Sequence, residues 1–398
     1  MKVSLTPRAL IDALLILTPV AIAVVRRSST LLLAAAAFWS LLANRGRLRT
    51  HWRAAQFDPA LVAGLVLLFA YGAVSLLWSP LPARGGKQLV FDYAVPLIAG
   101  LALLIAPPPP MSARMQQIFA ASVLIAGLMV ASQILTGVRI ESLFNPREGH
   151  GEIWRFNMVV VTLGLLLPSL LLLARRQPMW AALAILGVLA ATAQSQSATA
   201  KTLIAAGFAT YVAVRLLPRR LSLALAGVTL FGLLAIQPWQ GRIVEQGFAA
   251  AGKTEILFNS ARERIVIWQA SGRMALHAMP WGTGMGSSDA VSETPFAKTM
   301  KPEEWVGLRQ THAHDAFLNV ILELGLPGLV AMALIAFGLL RSIAPLPSDL
   351  FAPALALLAQ VVAVNLISHG AWQAWWFTAI MLGVLALRRM SPIPSQSV

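Results

Sequence analysis

The sequence predicts an all-α polytopic membrane protein, with about 12 transmembrane helices and a large helical outward segment between helices 9 and 10. Two observations predict this fold class. Of the 398 residues, 58% are hydrophobic and only 12% are charged, whereas soluble domains carry about 25% charged residues. The apolar residues also stand in continuous blocks close to the roughly 20 residues that cross a bilayer, without the alternation of a transmembrane β-barrel.

Twelve apolar blocks are candidate spans, and each is expected to be helical because a backbone in hydrocarbon must satisfy its own hydrogen bonds. The expected spans are residues 9–25, 29–44, 58–78, 88–106, 116–136, 157–174, 179–195, 199–217, 220–237, 314–340, 350–368 and 371–388. The chain then divides into helices 1–9 at 1–237, an outward loop with amphipathic helices at 238–313, and helices 10–12 with a tail at 314–398.

Basic residues predict the orientation of these spans, because short cytoplasmic loops are enriched in Lys and Arg. An N-terminus inside fits best, although Arg26 and Arg27 then fall outside and oppose it. Both termini are therefore expected to be cytoplasmic. The basic residues that fall inside are Lys2, Arg8, Arg45, Arg47, Arg49, Arg53, Arg114, Arg175, Arg176, Arg215, Arg219, Arg220, Arg341, Arg388 and Arg389.

The net charge of +15 restricts the possible partners of the chain. In a soluble chain such an excess would suggest nucleic acid, but the interleaved apolar spans argue against a nucleic-acid partner. Two explanations remain, namely cytoplasmic anchoring charge and a site for an anionic substrate. The chain has no cysteine, which excludes a thiolate nucleophile. It has no outward Asp-x-Asp pair and no phosphate-binding loop, so neither a metal nor another cofactor is expected.

The outward segment 238–313 is predicted to be structured. Within it, residues 259–279 have the pattern of an amphipathic helix. Pro280 is expected to end this helix, and Gly282, Gly284 and Gly286 to form a turn. The predicted apolar contacts of the helix are Ile265, Trp268, Met274 and Leu276.

One motif opens predicted span 10. Residues 311–328 read Thr-His-Ala-His-Asp-Ala-Phe-Leu-Asn-Val-Ile-Leu-Glu-Leu-Gly-Leu-Pro-Gly. This resembles the signature of the O-antigen ligase and polymerase superfamily, which has His-Asn, then Leu, then Glu-x-Gly-x-x-Gly at the start of a membrane helix. His314 takes the histidine position, and Glu323, Gly325 and Gly328 take the later ones. Asp315 stands where the family has Asn, which departs from the pattern.

Further patterns resemble the same family in the same order, so that the resemblance covers roughly residues 150–388. They are Ser195-x-Ser197 before Lys201, Arg264-x-x-x-Trp268 followed by Pro280-x-Gly282-x-Gly284, and Trp372-Gln373-Ala374-Trp375-Trp376. The resemblance implies a GT-C-like membrane glycosyltransferase of the bacterial inner membrane, and it makes the outward segment a periplasmic loop.

The resemblance implies transfer of a glycan from undecaprenyl diphosphate to an acceptor hydroxyl at the periplasmic face, inverting and without metal or nucleotide. A ligase would use lipid A–core as the acceptor, whereas a polymerase would use another undecaprenyl-linked repeat, and the superfamily also includes enzymes that glycosylate proteins. The large loop and the Trp-rich pattern favour a ligase. An exporter of anionic glycolipid, embedded in membrane lipid like the enzyme, is the alternative from another class. The oligomeric state stays open.

Two residue types carry the expected chemistry. His314 lies at the predicted outer mouth of a helix, where an imidazole can act as a general base near neutral pH. His312 is a weaker candidate for substrate contact. Arg264 supplies the planar fork that binds phosphate oxygens, and Arg262 and Arg309 lie in the same loop. The alternative for the histidines is an interfacial helix start, and for the arginines an anchor at the lipid headgroups.

Two further basic residues and three polar residues complete the candidates. Arg155 and Lys201 lie at predicted outer ends of spans, and the resemblance gives Arg155 a substrate-binding position. Asp315, Asn319 and Glu323 are spaced by four and share one helical face. A structural polar network explains this face, and for Asp315 the orientation of the His314 ring is an equal alternative.

Overall fold

The computed structural model describes residues 7–25, 28–108, 110–137, 140, 156–250, 259–309 and 312–391, and these ranges contain helices and turns but no strand. The all-α class is therefore confirmed. The first ten helices are α1 Pro7–Val24, α2 Ser28–Ala43, α3 Leu48–Ala54, α4 Pro59–Ser75, α5 Pro82–Ile105, α6 Ala113–Thr136, α7 Asn157–Leu173, α8 Pro178–Gln194, α9 Ala198–Leu216 and α10 Arg219–Ile236. The others are α11 Gln240–Ala250, α12 Asn259–His277, α13 Pro302–Leu308, α14 Ala316–Ile343, α15 Ser348–Ile367 and α16 Ala374–Met390.

Each of the twelve predicted spans coincides with a helix, apart from a few residues at the ends, within the described ranges. Five helical stretches are long and apolar enough to cross a membrane, namely α5, α6, α10 continued by α11, α14 and α15. Another five apolar helices are shorter, namely α1, α2, α4, α7 and α8. These ten apolar helices are consistent with a polytopic membrane protein. The count of twelve spans stays a prediction.

Small residues allow the long helices to pack closely, as is common between membrane helices. A Cβ atom on Gly127 of α6 would lie 2.2 Å from the carbonyl oxygen of Gly187 on α8. In a second helix pair, a Cβ atom on Gly338 of α14 would lie 2.3 Å from the amide nitrogen of Leu61 on α4. These contacts require glycine because any larger residue would separate the helix pairs.

Helix α14 is interrupted at Gly325, whose φ of 59° and ψ of −143° are not helical. The segment from Pro280 to Gly284, which follows α12, forms hydrogen bonds with the backbone on both sides of this break. Leu326 N donates to Pro280 O at 2.8 Å, Thr283 N to Leu322 O at 2.9 Å and Gly284 N to Glu323 O at 2.9 Å. Non-helical backbone at this depth is tolerated because it is enclosed by protein. The span expected at 314–340 is a helix over Ala316–Ile343, and the break at Gly325 divides it into two parts.

Helix α12 confirms the amphipathic helix expected in the outward loop. Ile265, Trp268 and Met274 are buried, whereas Leu276 is 40% exposed. The expectation that Leu276 packs inward is wrong, because that side of the last turn faces outward. The turn after Pro280 is confirmed by left-handed φ angles of 79°, 92° and 79° at Gly282, Gly284 and Gly286.

Arg389 differs from the other basic residues assigned to the inner side whose exposure the structure describes, because its side chain is only 2% exposed. Its guanidinium pairs with the carboxylate of Asp12 and joins α16 to α1. A buried charge needs such a partner. Arg389 is therefore part of the helix packing.

Candidate active site

His314 immediately precedes α14 and lies outside the membrane-spanning helix. Its backbone is left-handed, with φ of 51°, which turns the chain into the helix. Its Nδ1 lies 3.2 Å from the backbone carbonyl oxygen of Ser368. Because a carbonyl oxygen can only accept, Nδ1 carries the hydrogen in this contact, and Nε2 of the neutral ring holds a lone pair. The geometry therefore provides a base at Nε2.

Two further histidines adjoin His314. The ring centroids of His312 and His314 are 4.3 Å apart, and Nδ1 of His312 accepts a hydrogen bond of 3.1 Å from the backbone N–H of His314. His369 lies in the turn between α15 and α16, where its Nε2 is 2.9 Å from Ser368 Oγ. We call these three residues the histidine cluster. Among the described residues, no three His, Asp or Glu side chains form a group suited to a metal ion.

Burial keeps the histidine cluster neutral near pH 7. Desolvation, followed by the charges of neighbouring groups, lowers the pKa of His312 to about 3 and that of His369 to about 3. Burial also lowers the pKa of His314 below its ordinary value of 6.5, and its hydrogen bond to Ser368 offsets part of this effect. Neutral imidazole is the form that can accept a proton.

Arg264 on α12 supplies positive charge next to the histidine cluster. Its side chain is half-buried, and its charge contributes to the lowered pKa of His312, His314 and His369. Arg84, in the first turn of α5, acts on His312 in the same way and pairs with Asp289. The site is thus cationic through arginine, while its imidazoles are uncharged.

Asn319 and Glu323 form a buried polar network beneath the histidine cluster. Asn319 Oδ1 accepts from Ala371 N at 3.3 Å, and Asn319 Nδ2 donates to Glu323 Oε1 at 3.2 Å. The Glu323 carboxylate accepts five hydrogen bonds in total. Its donors are Gly286 N, Ser288 N, Ser288 Oγ, Asn319 Nδ2 and Trp372 Nε1. One carboxylate therefore joins the outer loop, α14 and the turn that carries His369.

Asp315 is fully buried and caps α14, where its carboxylate accepts from Leu318 N at 2.9 Å. The amide of Gln237, oriented to donate, lies 3.1 and 3.2 Å from the two carboxylate oxygens. The hydrogen-bond partner of the His314 ring is Ser368 O instead. Asp315 thus serves the helix start, and its surroundings differ from those of Asn319 and Glu323.

The remaining candidates are exposed or lie outside the described residues. Arg262 and Lys201 are exposed, and Arg309 is exposed with its guanidinium 5.1 Å from the ring centroid of Trp305. None of these three contributes to the described contacts of the histidine cluster. Arg155 lies outside the described residues.

His369 and Arg84 were not anticipated from the sequence. Both stand in short turns that the predicted orientation places outside, between spans 11 and 12 and between spans 3 and 4. A systematic search for His and Arg in outward turns would have found them. The Trp-rich motif at 372–376 begins just after His369 and does not include it. In the structure Trp375 contacts His369, with ring centroids 4.6 Å apart.

Comparisons with known proteins agree with the motifs. Residues 181–333 match the model of the O-antigen ligase family. A Rickettsia conorii protein provisionally named a polysaccharide ligase is 27% identical over 122 residues, which cover 30% of this chain and 29% of that protein. A Rickettsia bellii protein with the same provisional name is 33% identical over 91 residues, 23% of this chain and 22% of that protein. The chain thus spans less than a third of the length of these relatives.

The matched region begins in α8 and ends within α14. It contains Arg264, the glycine turn, His314 and the Glu323 network, which are the elements brought together around the histidine cluster. The motif resemblance is therefore confirmed: residues 181–333 of this chain are similar to the O-antigen ligase family.

Proposed function

We propose that this chain is a ligase-like glycosyltransferase that moves a glycan from undecaprenyl diphosphate to a sugar hydroxyl of lipid A–core. The observation that carries the proposal is a neutral imidazole with a free Nε2 beside the fixed positive charge of Arg264. The names of the rickettsial relatives support a polysaccharide as the transferred group. The reaction takes place at the periplasmic face of the inner membrane, with both termini in the cytoplasm.

The proposed step is a single displacement. The acceptor hydroxyl oxygen attacks the anomeric carbon and forms the new glycosidic bond, while the bond from that carbon to the diphosphate oxygen breaks. The hydroxyl proton passes to Nε2 of His314, and the electron pair of the broken bond stays on undecaprenyl diphosphate. Attack opposite the leaving group inverts the anomeric configuration. The energy resides in the glycosyl diphosphate, so the step consumes no nucleotide.

Arginine stabilises the leaving group in this scheme. The Arg264 guanidinium donates to diphosphate oxygens as negative charge develops on them, and such stabilisation is a large part of catalysis. His312 lies beside His314, and its Nε2–H is available to a phosphate or sugar oxygen, since its Nδ1 accepts from the backbone. Arg155, Arg262, Arg309 and Lys201 are proposed as outer contacts of the donor or of the glycan.

The three polar residues at the start of α14 have supporting roles. Asp315 fixes the first turn of the helix, next to His314. Asn319 and Glu323 hold the outer loop and the His369 turn against α14. The proposal therefore separates groups that contact substrate, on the outer side, from groups that hold them in place.

A reconstituted reaction tests this function. The purified protein in detergent receives undecaprenyl-diphosphate-linked glycan and lipid A–core, with no ion gradient, and products are separated by gel and mass spectrometry. We expect glycan covalently attached to the core. Extension of undecaprenyl-linked glycan without core would identify a polymerase, and the absence of any covalent product would favour an exporter of glycolipid.

A further inference from the structure

An apolar groove lies where α2, α3 and α5 meet, and we call it the α2–α3–α5 groove. Its volume is about 540 Å³, within the range of about 300–1,000 Å³ of small-molecule sites. One charged residue, Arg49, stands among apolar walls. The walls include Leu41 from α2, Leu48 and Trp52 from α3, and Ile98, Leu101 and Ile105 from α5.

The groove and the histidine cluster lie at opposite ends of α5. Arg84, which acts on His312, is in the first turn of this helix. At the other end, Ser40 Oγ donates to Ala106 O at 2.6 Å and joins the ends of α2 and α5. A helix of 24 residues is about 36 Å long. The groove therefore faces the leaflet opposite the candidate active site and is separate from the proposed reaction.

Four exposed arginines lie within nine residues of sequence in and next to α3, and none forms an ion pair with a described residue. They are Arg45, Arg47, Arg49 and Arg53. Arg49 is the one that lines the groove. The sequence has no acidic residue from Asn44 to Phe57. The nearest one, Asp58, caps α4 and pairs with Arg341 at 3.0 Å. The charge of Arg49 in the groove, together with that of the three arginines near it in sequence, is thus available to an anion.

The walls of the groove include exposed apolar side chains, and α2 and α5 coincide with predicted membrane spans. Ile98 is 63% exposed on α5, and Leu41 is 36% exposed on α2. Trp52 is 65% exposed on the short helix α3, and tryptophan is enriched where membrane meets water. An occupant that reaches this groove must therefore come from the bilayer, which favours a lipid over a soluble peptide.

We propose that the α2–α3–α5 groove binds an anionic phospholipid of the phosphatidylglycerol type. One acyl chain lies along the apolar walls, and Arg49 with its neighbouring arginines holds the phosphate. Arginine clusters immediately next to a membrane helix attract anionic lipid by about 1 kcal/mol for each charge. The site is a lipid contact at the inner leaflet, and it does not depend on the proposed glycosyl transfer.

Native mass spectrometry of the delipidated protein tests the proposal, with dioleoyl-phosphatidylglycerol and dioleoyl-phosphatidylcholine as probes. We expect the first lipid to bind more tightly. Arg49→Gln should weaken its binding about five-fold, and Arg45→Gln with Arg49→Gln about 25-fold, the factors that about 1 kcal/mol per charge gives. Ile98→Trp should abolish binding by filling the groove, because Ile98 is already exposed and needs no repacking.

Two controls distinguish the groove from general surface effects. Arg176→Gln removes an exposed arginine from the turn between α7 and α8, and Leu31→Trp enlarges an exposed apolar residue outside the groove. Both should bind like the parent protein. Equal binding of the two lipids, equal losses in the controls, or undiminished binding in Ile98→Trp would each overturn the proposal.

Discussion

Nδ1 of His314 lies 3.2 Å from the carbonyl oxygen of Ser368, and this contact determines which ring nitrogen can accept a proton. The carbonyl fixes the hydrogen on Nδ1 and leaves Nε2 as the basic atom. The turn between α15 and α16 thus controls the chemistry of a residue that precedes α14. Because Ser368 contributes its backbone carbonyl, a side-chain substitution at Ser368 would not remove the contact, and the test must replace the His314 ring.

The first prediction concerns His314→Asn. Asparagine tolerates the left-handed backbone at this position, so the variant isolates the loss of the ring from backbone strain. We expect glycan transfer to fall about 10²- to 10⁴-fold, the usual contribution of a general base. Membrane insertion and the elution volume in size-exclusion chromatography should not change. His277→Asn, at the exposed end of α12, is the control and should stay active. Wild-type activity in His314→Asn would remove the base assignment.

The second prediction concerns the pH dependence of transfer. Burial lowers the pKa of His314 below 6.5, so the ring is neutral above that lowered value and becomes protonated as the pH falls through it. We expect kcat/KM to be constant near pH 7 and to decline on the acid side at a pH below 6.5, measured with lipid-linked donor from pH 4.5 to 8. If this decline of kcat/KM, the acid limb of the profile, occurred above pH 6.5, the assignment of His314 as a neutral base would be contradicted.

The third prediction separates the charge of Arg264 from its shape. Arg264→Gln removes a charge that lowers the pKa of His314, so the acid limb should move to higher pH while transfer falls about 100-fold. Arg264→Lys keeps the charge but loses the planar fork. Transfer should therefore fall, while the pH at which kcat/KM declines on the acid side stays the same. Arg242→Gln, exposed on α11, is the control. Identical pH profiles in the two Arg264 variants would show that this charge does not act on His314.

The sequence predicts the helices well because span formation depends on local composition. Continuous apolar blocks have one stable form in hydrocarbon, and every expected block is helical. The break at Gly325 is different. It is stable only because Pro280, Thr283 and Gly284 satisfy the interrupted backbone, and those residues are about 40 positions away in the chain. A helical pattern around Gly325 gives no sign of such a distant partner.

The site shows the same division between local and distant information. His314 and Arg264 stand in short motifs and could be selected from the sequence. His369 joins them only because Ser368 and Gly370 pack against His314, His312 and Asn319; a Cβ atom on Gly370 would lie 2.9 Å from the His312 Cβ. The spacing of four residues predicts that Asp315 shares a helical face with Asn319 and Glu323. Asp315 precedes the first turn of α14, however, and its carboxylate contacts Leu318 N and the Gln237 amide instead.

The fourth prediction concerns Glu323→Gln. Five donors converge on this carboxylate, and an amide would place its own N–H group against some of them. Leaving buried donors unpaired costs about 1–3 kcal/mol each, so we expect a loss of about 3 kcal/mol in the free energy of unfolding, measured in detergent.

Glu293→Gln is the matched control for this change. Its carboxylate is 69% exposed and 3.8 Å from Lys298 Nζ, so its removal should change stability by less than about 1 kcal/mol. Equal stability of Glu323→Gln and the parent protein would mean that the network does not hold the outer loop.

The fifth prediction concerns the break in α14. In Gly325→Ala the new Cβ atom would lie 2.2 Å from the carbonyl oxygen of Pro280, at a residue with φ of 59°. With ψ of −143° this positive φ lies in a sparsely populated region that costs about 1–3 kcal/mol for a residue with a Cβ, and overpacking adds about 1–3 kcal/mol. We therefore expect a lower unfolding temperature together with reduced transfer, because the segment from Pro280 to Gly284 would be pushed away from α14.

Gly232→Ala on α10 provides the comparison, since no atom lies within 4 Å of its Cβ position. Alanine in a helix is favoured over glycine by about 1 kcal/mol, so this variant should be as stable as the parent protein or more so. Thermal unfolding followed by size-exclusion chromatography measures both variants. If Gly325→Ala matched Gly232→Ala in stability and activity, α14 would tolerate a continuous helix, and the interruption would not be needed to seat the outer loop.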